Sequence, residues 1–166
     1  LLQALAGGAV CAATGALPAR AGGLQLGKPA PPLVLHTLDG RSIASDSLRG
    51  QVVILSFWAT WCGPCQEELP VLSAYAAEHA GQGLQVLSFS LDDAENLPAV
   101  RKVAAGLSFP VGLLGGAYAG AYGRIWRLPV SFTIDRAGLL ADNSWNDERP
   151  DWTEERLQRI VTPLLR

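Results

Sequence analysis

Val52-Val53-Ile54-Leu55-Ser56-Phe57-Trp58-Ala59-Thr60-Trp61-Cys62-Gly63-Pro64-Cys65 is the stretch on which the reading of the whole chain turns. Its first six residues are almost continuously β-branched, aliphatic or aromatic, the pattern of a strand buried on both faces. Two cysteines follow with two residues between them. From Cys62 to about His79 the spacing becomes helical, with Leu69, Leu72 and Ala76 on one stripe, Gly81 and Gly83 closing it, and a kink expected at Pro70. A cysteine at a helix start meets backbone amides that lack partners, and these donors together with the helix dipole stabilise a thiolate. In Cys-X-X-Cys motifs the thiol pKa falls to roughly 3.5–7.5. Cys62 therefore reads as the nucleophile that attacks a partner's disulfide. Cys65, one turn further in and more buried, reads as the thiol that resolves the mixed disulfide. Gly63 and Pro64 keep the turn between them tight.

Other uses of two cysteines fit less well. Half a zinc site needs a second pair of ligands, and His36 and His79 have no metal-like spacing; they read as a strand-edge and a helix-end residue. Haem attachment needs His after the second cysteine, and residue 66 is Gln. A purely structural disulfide closing so short a loop gains little stability.

Outward from the motif, strands and helices alternate. Gly27 to Pro32 is a stiff, proline-rich lead-in, Leu33 to His36 a short strand, Asp39-Gly40 a turn, and Ser45 to Arg49 a single helical turn. Leu84 to Phe89 is the next strand, and Asp92 to Ala105 reads as a helix begun by Asp92 or Asp93. Phe109 to Leu114 is a strand and Tyr118 to Ile125 a short helical segment. Val130 to Ile134, a turn at Asp135 to Gly138, and Leu139 to Trp145 form a hairpin. The last helix is expected from Asp151, with Glu154 completing a capping box and Leu157, Ile160, Val161 and Leu164 as its buried stripe. Trp58 reads as core, and Trp145 and Trp152 as packing for that last helix. The pattern implies one α/β domain with a central mixed sheet flanked by helices.

These residues carry a family resemblance. Phe57 to Cys65 resembles the active-site stretch of the thioredoxin superfamily, and the chain is similar, more narrowly, to the exported TlpA/ResA-like thiol-disulfide oxidoreductases. The proline-rich lead-in, Leu48 to Val53, Glu67-Glu68-Leu69-Pro70, and Leu128 to Asp135 carry the likeness, and Asp92 to Phe109 matches that group's inserted helix region. The resemblance covers roughly residues 25 to 165. It implies a thioredoxin-like fold and makes Pro129 the cis-proline facing the dithiol, a position where a strand-entry proline also leaves neighbouring backbone groups free. Leu128 would then pair its backbone with an extended substrate segment. It also suggests that Glu68, three residues beyond Cys65, exchanges protons with the dithiol; the alternative is a solvent-facing helix acid, which is the reading for Glu67. Thioredoxins proper place a buried Asp six residues before the first cysteine, and here that residue is Ser56. Trp61 reads as an apolar docking surface beside Gly63 and Pro64, and Trp126 either lines the same groove or packs in the core.

Composition narrows the class. Of 166 residues 49% are hydrophobic and 17% charged, below the usual quarter or so, so some apolar stretch need not belong to the folded body. Thirteen basic against fifteen acidic residues leave a net charge of -2, with no electrostatic footprint for nucleic acid. Leu1 to Leu17 carries no charge, and Ala19-Arg20-Ala21 follows it. That is the pattern of a secretory signal lacking its basic start, or of a membrane anchor, leaving residues 22–166 as the thioredoxin-like domain. Val10 is bulkier than lipoprotein processing at Cys11 needs. With Cys11 in that segment, the domain keeps only Cys62 and Cys65.

The expectation is an exported dithiol–disulfide exchanger without a cofactor or resident metal. It would reduce clients such as apocytochromes, in cytochrome c maturation, and be fed by a membrane electron-transfer protein. Two rivals remain. A thiol peroxidase of the peroxiredoxin group would carry Thr three residues before its cysteine, where this chain has Ala59. A copper or haem chaperone could use the two thiolates as soft ligands, against which stands the absence of methionine.

Overall fold

The computed structural model describes residues 23–166; the expected signal or anchor segment at 1–21, with Cys11, lies outside the described residues. Along the chain run β1 (Val34–His36), β2 (Ser42–Ala44), β3 (Val52–Trp58), α1 (Gly63–His79), β4 (Leu84–Ser90), α2 (Leu97–Ala104), β5 (Val111–Leu113), β6 (Val130–Ile134), β7 (Leu140–Asn143) and α3 (Glu154–Ile160). β3 is buried at every position, as its almost continuous apolar run requires, and it is the middle strand of a five-stranded sheet ordered β5-β4-β3-β6-β7. β4 runs parallel to β3 and to β5, whereas β6 is antiparallel to β3 and to β7. The sheet is therefore mixed, and the β4–β5 crossover carries α2. Among the described residues no helix is long and apolar enough to cross a membrane.

Side chains alternate across a strand, so β3 feeds two cores. Val52, Ile54 and Trp58 face α1 and α3 and pack with Leu69, Leu72, Trp152, Leu157 and Val161. Val53, Leu55 and Phe57 face the other way, with Leu87, Phe89, Tyr122 and Phe132. There Phe57 stacks on Phe89 at 5.1 Å between centroids and meets Phe132 edge-on at 6.0 Å.

Several expectations need correction. The helix read from Asp92 begins only at Leu97, after a single 3-10 turn at Ala94–Asn96, and Asp92 caps nothing. Its carboxylate points back to the β3–α1 loop instead, and Pro98 in the first turn sets where the helix can start. Tyr118 to Ile125 is not a helix but a tight excursion around a 3-10 turn, Gly120–Tyr122, bridged between Tyr118 and Arg124. The segment after Asp39-Gly40 returns as a strand, β2, that the short Ser-Ile-Ala run did not advertise. α3 is capped by Thr153, whose hydroxyl accepts from the Arg156 N–H, so Glu154 is the first helical residue rather than the far end of a capping box. Trp145 packs on Phe132 and Trp126, on the sheet face away from α3. α1 continues through Pro70.

Candidate active site

The dithiol sits where β3 ends. Cys62 is the N-cap of α1, in extended conformation, and its sulfur accepts the Cys65 N–H at 3.3 Å. Pro64 occupies the first turn, where a missing N–H costs nothing. Cys62 and Cys65 are joined as a disulfide with their Cα atoms 5.3 Å apart. Cys62 retains 6% exposure and Cys65 none, so a partner can reach only the first sulfur. A Cβ at Gly63 would meet nothing within 4 Å, so the helix start opens onto free space.

The loop between β3 and Cys62 is held by groups that sequence reasoning missed. Asp92, nearly fully buried beyond the end of β4, accepts the Thr60 N–H at 2.8 Å, the Thr60 hydroxyl, and the Ser90 hydroxyl at 2.7 Å. From inside the helix, Gln66 donates to the Ala59 carbonyl, which also takes the Cys62 N–H. The available signal for Asp92 was its place: an acid just beyond a buried strand that lies parallel to the strand bearing the motif.

Glu68 lies one turn beyond Cys65 on the same buried stripe. It is 2% exposed, more deeply buried than a helix acid expected near the surface, while Glu67 beside it is exposed. Its Oε2 accepts the Trp152 backbone N–H at 2.7 Å and its Oε1 has no partner. Burial, reinforced by Asp151, pushes its pKa up to about 8; the Trp152 N–H and the Arg156 guanidinium oppose that rise. In the oxidised protein this shift favours the protonated carboxyl at neutral pH. Ser56 is fully buried with no hydrogen-bond partner for its hydroxyl, and strand alternation places it on the α1 side of β3.

The remaining site candidates form the rim. The Leu128–Pro129 peptide is cis, and β6 begins immediately after it. Since Val130 pairs with Phe57, Pro129 stands beside the end of β3 from which the dithiol loop departs. Leu128 is half-buried and touches both cores, including the one that contains Cys62 and Cys65. Trp61 is 68% exposed and Trp126 66%, the latter resting edge-on against Trp145, so the core alternative for Trp126 is excluded. His36 and His79 stand at the ends of β1 and α1, bonded to Ser42 and to the Tyr75 carbonyl. Among the described residues no group of three or more His, Cys, Asp or Glu is placed to hold a metal ion.

The chain is similar to known proteins over nearly this whole fold. The model of the AhpC/TSA family matches residues 26–142. Thiol-disulfide oxidoreductase ResA of Bacillus thuringiensis (strain Al Hakam) is 31% identical over 139 residues, spanning 83% of this chain and 80% of that protein. A solved structure from Chlorobium tepidum, described as a thiol:disulfide interchange protein DsbE, matches with a TM-score of 0.72 at 28% identity, over 86% of this chain and 99% of its own. Another, from Chlorobium tepidum TLS and described as a thiol:disulfide interchange protein of the thioredoxin family, gives 0.67 at 27% identity, over 84% and 97%. The fold expected from the motif is thus the fold found, and the chain belongs to the AhpC/TSA family as a thioredoxin-like thiol-disulfide oxidoreductase.

Proposed function

We propose that this oxidoreductase works outside the cytoplasm as a reductant of client disulfides, of the kind needed to keep apocytochrome cysteines reduced for haem attachment. The observation that carries it is the asymmetry of the pair: Cys62 caps α1 at the surface with its sulfur at the first-turn amide, and Cys65 is sealed behind it. The Cys62 thiolate attacks one client sulfur, the client S–S bond breaks, and the departing client thiolate takes a proton from water. Cys65 then attacks the Cys62 sulfur, and the second client sulfur leaves as a thiolate that takes a proton from water. The proton that Cys65 must lose goes to Glu68 in its carboxylate form, which burial makes a stronger base that then keeps the proton in the oxidised protein. The client ends reduced by two electrons and the enzyme oxidised. A membrane electron-transfer dithiol would restore it.

Trp61, Trp126 and the Leu128 backbone beside Pro129 would receive the client chain, Gly63 and Pro64 leaving the approach clear. The uncharged Leu1–Leu17 stretch supports export or anchoring. The test is the reduction potential of the Cys62–Cys65 couple, measured by equilibration with dithiothreitol. A value of about -270 mV or lower is expected, and one of roughly -120 to -180 mV would make the protein an oxidant or isomerase. Absence of any two-electron couple would favour the thiolates as Cu(I) ligands.

The family's description favours one second reading, a thiol peroxidase. Turnover of hydrogen peroxide with a dithiol reductant would establish it; Ala59 at the position of the peroxidase Thr predicts none.

A further inference from the structure

Arg156 is a charged residue in an unusual place. It lies in the first turn of α3, where the helix dipole disfavours a cation, and it is nearly fully buried. Burying a guanidinium costs several kcal/mol unless its donors are served, by order of magnitude. Here the two terminal nitrogens are served by β7 and the segment that follows it, while Nε has no partner among the described residues. One terminal nitrogen meets the carboxylates of Asp142 at 2.9 Å and Asp147 at 2.8 Å, and the other donates to the Arg149 carbonyl at 3.0 Å. The guanidinium carbon stands 4.8 Å from the centroid of the Trp152 ring.

That segment, from Asp147 to Thr153, is neither helix nor strand, so its backbone has no ladder to hold it. Yet its Trp152 N–H makes the one hydrogen bond that Glu68 accepts among the described residues. The charged groups facing Glu68 from this segment and α3 are Asp151 and Arg156. On this side β3 presents Val52, Ile54, Ser56 and Trp58, and β6 presents Ser131 and Thr133, none of them titratable or charged. On α1 itself the neighbours are the dithiol and the exposed Glu67.

We propose that Arg156 is a positioning residue for Glu68: it clamps the Trp152 peptide against the carboxyl and so sets the pH at which Glu68 exchanges its proton. Two of its effects act in one direction. Its charge favours the carboxylate, and so does the N–H that it holds in place. With the Trp152 ring still seated in the core, Glu68 stays dry, and losing both effects leaves it harder to ionise. The clamp rests on the proposed role of Glu68 as proton carrier only for its consequence in turnover, not for its existence.

The experiment is a pH titration of the Glu68 side-chain carbon by NMR in the oxidised protein labelled with 13C-glutamate, the signal assigned by its loss in Glu68→Gln. Arg156→Met is expected to raise the midpoint by about one unit, a tenfold change in proton affinity. Arg156→Lys keeps the charge but cannot serve three oxygens and the ring together; it should raise the midpoint by less. A folded Arg156→Met with an unmoved or lowered midpoint overturns the proposal. If that variant does not fold, an unmoved or lowered midpoint in Arg156→Lys overturns it instead. The pH profile of disulfide reduction, measured for wild type and Glu68→Gln, keeps the clamp and the proton carrier apart. If the substitution leaves the profile unchanged, Glu68 is not the carrier, while the clamp still stands or falls on the NMR midpoint.

Discussion

Glu68→Gln should convert a pH-dependent protein into a nearly pH-independent one over the neutral range. Glu68 titrates near 4.5 when unperturbed and at about 8 in the fold. Because the folded value is raised, stability is fullest below the unfolded pKa, where both states hold the proton. It is then lost as pH rises through the folded value, since the unfolded chain ionises first. At ~1.36 kcal/mol per unit, the shift from 4.5 to about 8 amounts to about 5 kcal/mol in total. Between pH 5 and pH 9 it amounts to about 4 kcal/mol. Against a typical stability of about 5–15 kcal/mol this is a large fraction. Glutamine imitates the protonated carboxyl: its oxygen can still accept the Trp152 N–H, and it never ionises. The assay is urea unfolding of wild type and Glu68→Gln, both oxidised so that the thiols drop out of the titration, at pH 5, 7 and 9. The stability gap between the two proteins should swing by about 4 kcal/mol in favour of Gln as pH rises. A gap constant to within about 1 kcal/mol would refute the buried neutral carboxyl, because a solvated acid contributes no such slope.

Two further outcomes follow from the same geometry. Trp61→Ala should leave stability within about 0.5 kcal/mol, because the side chain is largely exposed. It should raise KM for a protein disulfide such as insulin while leaving reduction of a small aromatic disulfide unchanged; equal effects on both would remove Trp61 from client docking. Asp92→Ala should cost about 3 kcal/mol in chemical denaturation, since it strands the Thr60 N–H and frees the loop that delivers Cys62. A loss under about 1 kcal/mol would mean that the loop is held by other contacts.

Legibility in the sequence followed the range of the interactions involved. β3, α1 and the dithiol were readable because strand burial, helix stripe and N-terminal amides are set within a few residues of Cys62. The missed β2 and the non-helical Tyr118–Ile125 segment show the limit. Three residues of Ser-Ile-Ala become a strand only because β1 offers them a ladder. The 118–125 segment is held by Tyr122, whose hydroxyl donates to the Pro31 carbonyl far away in sequence. Asp92 looked like a helix cap because Asp suits caps, and its real partner, Thr60, is adjacent only through the parallel pairing of β3 and β4.

The sequence alone determined the chemistry: two cysteines at a helix start, the first more reachable than the second, are properties of local spacing and backbone donors. It also determined the fold class, because a strand as apolar as β3 belongs in the middle of a sheet covered on both faces. The tertiary structure decided the protonation of the site. Whether Glu68 met water or the interior depended on Trp152, seated in the core, closing over it from a distant segment, and the charges it faces come from Asp151 and Arg156. A carboxyl's proton affinity is set by the solvent it loses and the charges it faces. The Trp152 cover and the charges of Asp151 and Arg156 come from more than eighty positions away along the chain, which no local pattern around Glu68 records.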